Sequence, residues 1–470
     1  MSGKTIVFLD PHETYFGHRE SGRKYTISKS LLGPRSKDQF EPFHDIFGCN
    51  LDGSSSFNGT LFRFPLRTVP SRLSKKKYTK QMVEGLFESL QEEASVILLF
   101  LKNVHSISIY KRSEDQRMEC VFKVEIAKER RAEVISERQR LQQGNETCVR
   151  MSKCVIDVKV TSGGRTENFQ WLVVNQIGST IKHVQEMAFE LSLLPWVGFA
   201  VPINAEPISH QEESASAGRI FCFLPLPPDV DCQTGLPIHV HGYFGLTDNR
   251  RGLAWPGRDC QNNEMAEWNR LLLTDVGSKV YSKVVEALVK DDPHIAVDQQ
   301  KRAQLVYSTL PNLNQVRCHW QCILEPLFTQ MIQQNVFYAC GVGENLWITL
   351  EEGILDRLLQ SGCKPDARKV ILDVIIAYES VPVVITNVPN HVQQIILRYF
   401  FKLISCVICK IRNNYKVYWC RCFLRCCGIF LMCEPCMQLC LCFRYAGCPV
   451  KGVLYYMAVS IVMCIYQYVH

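Results

Sequence analysis

Few side chains in this 470-residue sequence stand in patterns that do chemistry. His239 and His241 are two apart on a strand-like stretch and so share a face, but no further metal ligands accompany them. Arg250 and Arg251 are adjacent in a polar loop over 247–251, which places two guanidinium groups together. Such a pair either receives an anion or serves as a salt-bridge or surface element. Cys406-x-x-Cys409 and Cys433-x-x-Cys436 together spell a two-knuckle zinc pattern. Their spacing is longer than usual, and further cysteines at 420, 422, 426, 427, 440 and 442 leave the ligand set undefined, so no metal ligand is assigned. Gly341-x-Gly343 and Ser162-Gly163-Gly164 read as turns rather than phosphate cradles. With no Gly-x-Ser-x-Gly elbow, no His-Glu-x-x-His and no Gly-Lys-Ser/Thr loop, no catalytic residue is named.

The elements that must position these groups follow from periodicity. Phe62, Phe64 and Leu66 alternate with Arg63, Pro65 and Arg67 after the Gly59-Thr60 step, the pattern of a half-buried strand. Met82, Val83, Leu86, Phe87 and Leu90 keep helical spacing, which predicts an amphipathic helix over 78–94 with its apolar face in a core. Residues 96–101 (VILLFL) and 106–110 are strand-like, and 120–126 alternate. The charged run 128–143, ended by Gly144, predicts a solvent-exposed helix. Residues 155–160 and 169–174 form a hairpin about the glycine pair, with a helix near 180–192, then PWVGFAVPI (195–203) and a polar loop, and a strand over 236–244 beyond it. A long helix over 263–290 and mixed helical sequence follow.

Composition bounds the rest. With 47% hydrophobic and 21% charged residues the chain is of ordinary globular type and long enough for two or three domains. Its 53 basic and 46 acidic residues give a formal charge of +7 spread along the chain, which points to solvated surface and not to nucleic acid. The first thirty residues lack a secretory pattern, so a cytoplasmic location with free thiols is expected for the 23 cysteines. Twelve of them fall within 401–470. There, 453–469 is an apolar run at the lower limit for crossing a membrane, which leaves membrane association as an alternative location.

Three stretches, DPHETYFG (10–17), DQFEPFHDIFG (38–48) and CNLDGSSSFNGTLFRFPLRT (49–68), resemble the sacsin family. FCFLPLP (221–227), TGLPIHVHGYFGLTDNRRGLAWPG (234–257) and the following helix with Asn263, Glu264, Trp268 and Asn269 extend the resemblance, which reaches about residue 400. It implies an α+β chain: the C-terminal part of a GHKL-type ATPase sandwich related to ninety-kilodalton heat-shock chaperones over 1–70, a mixed α/β middle region over 71–260, a mainly helical region over 261–400, and an apolar cysteine-rich tail over 401–470.

The same resemblance places Gly59 and Thr60 at the floor of a nucleotide pocket, Thr60 near the adenine. By analogy with a related chaperone ATPase it gives Arg250 or Arg251 as a contact to the terminal phosphate. The family's lid, adenine-reading Asp and metal-side acid precede the strand that opens this sequence, so a complete nucleotide site is not expected. No cofactor is expected, with ATP and magnesium entering only where the pocket is completed elsewhere. The implied function is a truncated, chaperone-like or protein-binding module in protein quality control, with protein clients or other chaperones as partners. The alternatives are an ATP-dependent chaperone completed in trans and a protein anchored in a membrane through 453–469.

Overall fold

The computed structural model describes residues 4–10, 43, 45–48, 59–67, 70, 74–112, 117–143, 148–203, 218–226, 233–256, 263–290, 295, 298–341, 345–349, 354–355, 383–385 and 388–395. The chain divides into two compact units, Met1–Glu93 and Ala94–His470.

In the first unit β1 (Lys4–Asp10) pairs in parallel with β2 (Gly59–Pro65), Thr5 opposite Thr60. The alternation that predicted β2 holds, but the expected burial does not, because Phe62 and Phe64 are 48% and 53% exposed. Helix α1 (Lys80–Glu92) starts where Thr79 Oγ1 accepts from Met82 N at 3.3 Å, an N-cap that satisfies one orphan amide. It too differs from expectation: none of its residues is buried, and Leu86 is 59% exposed. Helical spacing fixed its amphipathic face without supplying a layer to cover it.

The second unit is built on an eight-stranded sheet in the order β3-β4-β5-β6-β7-β10-β8-β9. The strands are β3 (Ser106–Arg112), β4 (Met118–Ile126), β5 (Arg150–Ser162), β6 (Arg165–Ile177), β7 (Trp196–Pro202), β8 (Ile220–Cys222), β9 (Leu224–Pro225) and β10 (His239–Gly242). All neighbours are antiparallel except β10 and β8. The β5–β6 hairpin turns on Gly163 and Gly164, both at positive φ (55° and 78°), the geometry a two-residue hairpin turn demands.

One face of this sheet carries Val155, Leu172, Val174, Phe199, Val201 and Val240, all in the main core. Helix α5 (Asn263–Leu271), a π-helical turn Leu272–Gly277 and α6 (Ser278–Val289) run on without a break and form the layer over it, with the Phe199 and Tyr281 rings 4.9 Å apart. The predicted long helix is therefore present, interrupted by one wider turn in which buried Asp275 accepts from Ser179 Oγ at 2.8 Å. The other face carries Ile156, Trp171, Val173, Trp196 and the two histidines, covered by α2 (Ala94–Ile97) and α3 (Lys128–Gln142). Between α3 and the sheet, Val134 and Leu141 are buried and Arg138 Nη2 reaches Leu98 O at 2.7 Å.

Two expectations are corrected here. Residues 96–101, read as strand-like, instead hold the end of the helix Ala94–Ile97 and then irregular backbone, since a short apolar run buries equally well as helix or strand. Helix α3 is charged along most of its length yet buries Val134, Leu141 and much of Arg138. Helix α4 (Lys182–Leu191) packs beside α5, and α7 (Gln299–Ser308), α8 (Leu324–Met331) and α9 (Asn390–Ile395) occur in the same part of the sequence as a second, four-stranded sheet in the order β12-β11-β14-β13. Its strands are β11 (Phe337–Gly341), β12 (Asn345–Ile348), β13 (Ile354–Leu355) and β14 (Val383–Ile385). The region read as mainly helical thus also contains sheet, and the fold as a whole is mixed α and β.

Candidate functional site

The segment after β10 is held by side chains of α5. Gly245 N donates to Asn269 Oδ1 at 2.7 Å, while Asn269 Nδ2 donates to Gly245 O at 2.8 Å and to Ala254 O at 2.9 Å. Asn269 is fully buried, and its carboxamide supplies the partners of Gly245 N and Ala254 O, while Gly245 O also accepts from Ala254 N at 2.9 Å. Its neighbour Trp268 donates from Nε1 to Tyr243 O at 2.8 Å. Two adjacent residues of α5 therefore clamp both ends of a loop, and a bridge between Leu246 and Leu253 closes it.

Inside the loop, Thr247 N donates to Gly252 O at 2.9 Å and Arg250 N to Thr247 O at 2.7 Å. Asn249 Oδ1 accepts from Arg251 N at 2.9 Å and from Thr247 Oγ1 at 2.8 Å. Arg250 takes a positive φ of 57°, a conformation that a non-glycine residue adopts only where its surroundings impose it. The result is a small, internally bonded turn that holds the exposed Arg250 and Arg251 on the surface. Such a turn can receive an anionic group without ordering its own backbone first.

Behind it, Gly235 in the TGLP stretch explains a second motif residue. Its φ is +70°, and a Cβ there would lie 2.0 Å from Gln315 O. Arg317 N donates to Thr234 O at 3.0 Å, so the stretch before β10 is locked against the segment that enters the 3-10 helix Cys318–Ile323.

The two histidines do share a face, as read from their spacing, and both are enclosed by aromatic rings. His239 lies against Trp171 (5.2 Å) and Phe221 (5.7 Å), and Arg219 N donates to its Nδ1 at 3.0 Å. His241 stacks on Phe100 at 5.0 Å and meets Phe223 at 4.8 Å. Burial pushes the His239 pKa down to about 4 and that of His241 down to about 3, with Arg219 and Lys102 adding to the respective effects. Both are neutral packing residues at ordinary pH. Burial likewise pushes the Cys154 thiol up to about 12 and the Cys322 thiol up to about 11, far from the thiolate a nucleophile needs.

Gly59 and Thr60 open β2 in the first unit, Thr60 exposed, whereas Arg250 and Arg251 belong to the second unit. Among the described residues no group of three His, Cys, Asp or Glu side chains could hold a metal ion, so no step through metal-bound nucleotide is derived. The paired cysteines at 406, 409, 433 and 436 and the apolar run 453–469 lie outside the described residues. Among those described, no helix is long and apolar enough to cross a membrane.

Sequence reasoning missed Lys102. Its Nζ stands 5.0 Å from the Trp196 ring, 4.7 Å from Phe223 and 5.3 Å from Tyr243, and donates to Tyr243 Oη at 2.8 Å. The only local signal was a lone lysine following VILLFL. The roles of Trp268 and Asn269 were also not legible, although both stood out as motif residues.

Fold and site together define a mixed α and β protein with an enclosed core and a helix-clamped cationic turn on its surface. Comparison with known proteins adds the family. The Sacsin domain model matches residues 1–122. A curated relative, sacsin of Homo sapiens, is 34% identical over 377 residues, covering 75% of this chain and 8% of that protein. The chain belongs to the sacsin family. It spans 8% of the length of the curated relative it matches. No solved structure matches it.

Proposed function

We propose that this chain is a chaperone-like, protein-binding module that engages partner polypeptides without turning over nucleotide. The observation that carries the reading is the turn clamped by Asn269: two exposed guanidinium groups on a backbone whose hydrogen bonds are satisfied within the loop and by one buried side chain. A preformed cationic turn loses little freedom on meeting carboxylates of a partner, which is what a binding surface needs. The buried imidazoles and thiols support the same reading, because burial holds each in its uncharged form and withdraws it from acid–base or nucleophilic work.

In this reading the first unit, with β1 and β2 parallel and Thr60 at the start of β2, is part of a GHKL-type layer. Gly59 and Thr60 then touch nucleotide only where other groups complete the pocket. Protein clients or other chaperones are the proposed partners.

Light scattering from a heat-denatured probe protein such as citrate synthase tests the proposal. The purified chain is expected to delay aggregation equally with and without magnesium-ATP, and Arg250→Glu with Arg251→Glu is expected to weaken the effect. Unchanged aggregation, or a delay that depends on ATP, overturns the reading.

A further inference from the structure

The walls around Lys102 form a box. Trp196 and Tyr243 stack with centroids 5.6 Å apart, and Phe223 stands nearly perpendicular to both, at 85° and 89°. The faces of such rings carry negative charge and attract an ammonium group placed within about 6 Å of their centroids. Lys102 Nζ meets that condition for all three rings at once. Among the described residues no carboxylate pairs with Lys102, so the rings and the Tyr243 hydroxyl are the described partners of its charge.

Two further features mark the box as constrained. Phe223 sits at φ +69°, an uncommon left-handed conformation for a bulky residue, with its ring 4.7 Å from Lys102 Nζ. His241 touches two of the three walls, Trp196 at 5.5 Å and Phe223 at 4.8 Å, and its buried Nε2 has no hydrogen-bond partner. An imidazole kept neutral behind the rings leaves the ammonium as the cation the box holds. Trp196 is buried, whereas Lys102, Phe223 and Tyr243 each keep part of their surface exposed. Lys102 reaches it from the irregular residues that link α2 to β3.

We propose that the Trp196–Phe223–Tyr243 box is a recognition site for a primary alkylammonium group, occupied in cis by Lys102 and open in trans to a lysine side chain of a partner polypeptide. The hydrogen bond to Tyr243 Oη fixes the ligand class. An ammonium with N–H groups satisfies that oxygen, whereas a quaternary ammonium meets the rings but offers it no donor. The site does not depend on the reading given to the Arg250–Arg251 turn, since it selects a cation and the turn an anion.

The test vacates the box and refills it. Lys102→Ala is titrated with n-butylammonium chloride, with tetramethylammonium chloride as the comparison, following tryptophan fluorescence and melting temperature. Butylammonium is expected to saturate in the millimolar range and to raise the melting temperature. Tetramethylammonium is expected to bind several-fold more weakly, and the unsubstituted chain to respond at least about tenfold more weakly because its own lysine competes. Lys102→Ala with Tyr243→Phe is expected to lose the preference for the primary amine. Should Lys102→Ala fail to fold, recovery of its circular dichroism by butylammonium but not by tetramethylammonium becomes the readout. No saturable response in the folded variant, no rescue of an unfolded one, or an equal response in the unsubstituted chain overturns the proposal.

Discussion

Asn269 and Gly245 exchange two hydrogen bonds, amide nitrogen to carboxamide oxygen at 2.7 Å and carboxamide nitrogen to carbonyl at 2.8 Å, so that one side chain of α5 imitates the edge of a β-strand for the loop that follows β10. The arrangement ties the main helical layer to the surface turn that carries Arg250 and Arg251. It also makes the turn a dependent of the core, because the helix that holds it is the one packed across the sheet.

Replacing Asn269 by Ala strands two buried backbone groups, Gly245 N and Ala254 O, and leaves Gly245 O only its bond from Ala254 N. A loss of about 2–4 kcal/mol is expected in urea unfolding. Asn269→Asp is expected to be worse, since it sets a carboxylate against two carbonyl oxygens. A loss below about 1 kcal/mol contradicts the clamp.

Acid is expected to destabilise the chain through His239 and His241. Their pKa values in the fold, about 4 and about 3, lie below the ordinary 6.5, so below that pH the unfolded chain takes up protons that the folded chain cannot. Their full contribution is present above about pH 6.5 and falls by about 1.4 kcal/mol per pH unit for each as the pH drops, levelling near pH 4 for His239 and near pH 3 for His241. Melting temperatures between pH 7.5 and 4.5 check this, and His241→Phe is expected to flatten the slope.

How much of this was legible in the sequence depends on distance along the chain. The shared face of His239 and His241, the Gly163-Gly164 hairpin and the long helix beginning at Asn263 were readable because each rests on local period or turn chemistry. The box around Lys102 was not, because its lysine and its phenol are 141 residues apart and only the sheet order brings them together. Phe62, Phe64 and Leu86 mark the converse failure, where a correct period gave strand and helix but not burial. Arg138 shows a third kind: a charged helix position bonded to carbonyls at Leu98 and Leu99 has no signature in composition.

Gly235→Ala is expected to destabilise strongly. It combines a left-handed φ of +70° with a Cβ placed 2.0 Å from a backbone oxygen, and a backbone atom cannot swing aside as a side chain can. Gly163→Ala, where a Cβ meets nothing within 4 Å, carries only the conformational cost, on the order of 1 kcal/mol. Equal losses for the two in thermal unfolding contradict the close packing of the TGLP stretch.

Thiol labelling separates the cysteines by environment. Cys120, Cys148 and Cys318 are exposed, whereas the Cys154 thiol is buried and pushed up to about 12. Brief iodoacetamide treatment at pH 7.5 followed by peptide mass spectrometry is expected to modify these three before Cys154, which stays unmodified until the chain unfolds.

The central claim is that this sacsin-family chain binds polypeptide without turning over nucleotide. Its most direct test follows phosphate release while the 470-residue chain suppresses aggregation of a denatured probe in magnesium-ATP. The account predicts suppression with phosphate at the level of the protein-free control. Phosphate release that rises with the chain and is abolished by Thr60→Ala or Arg250→Ala contradicts it.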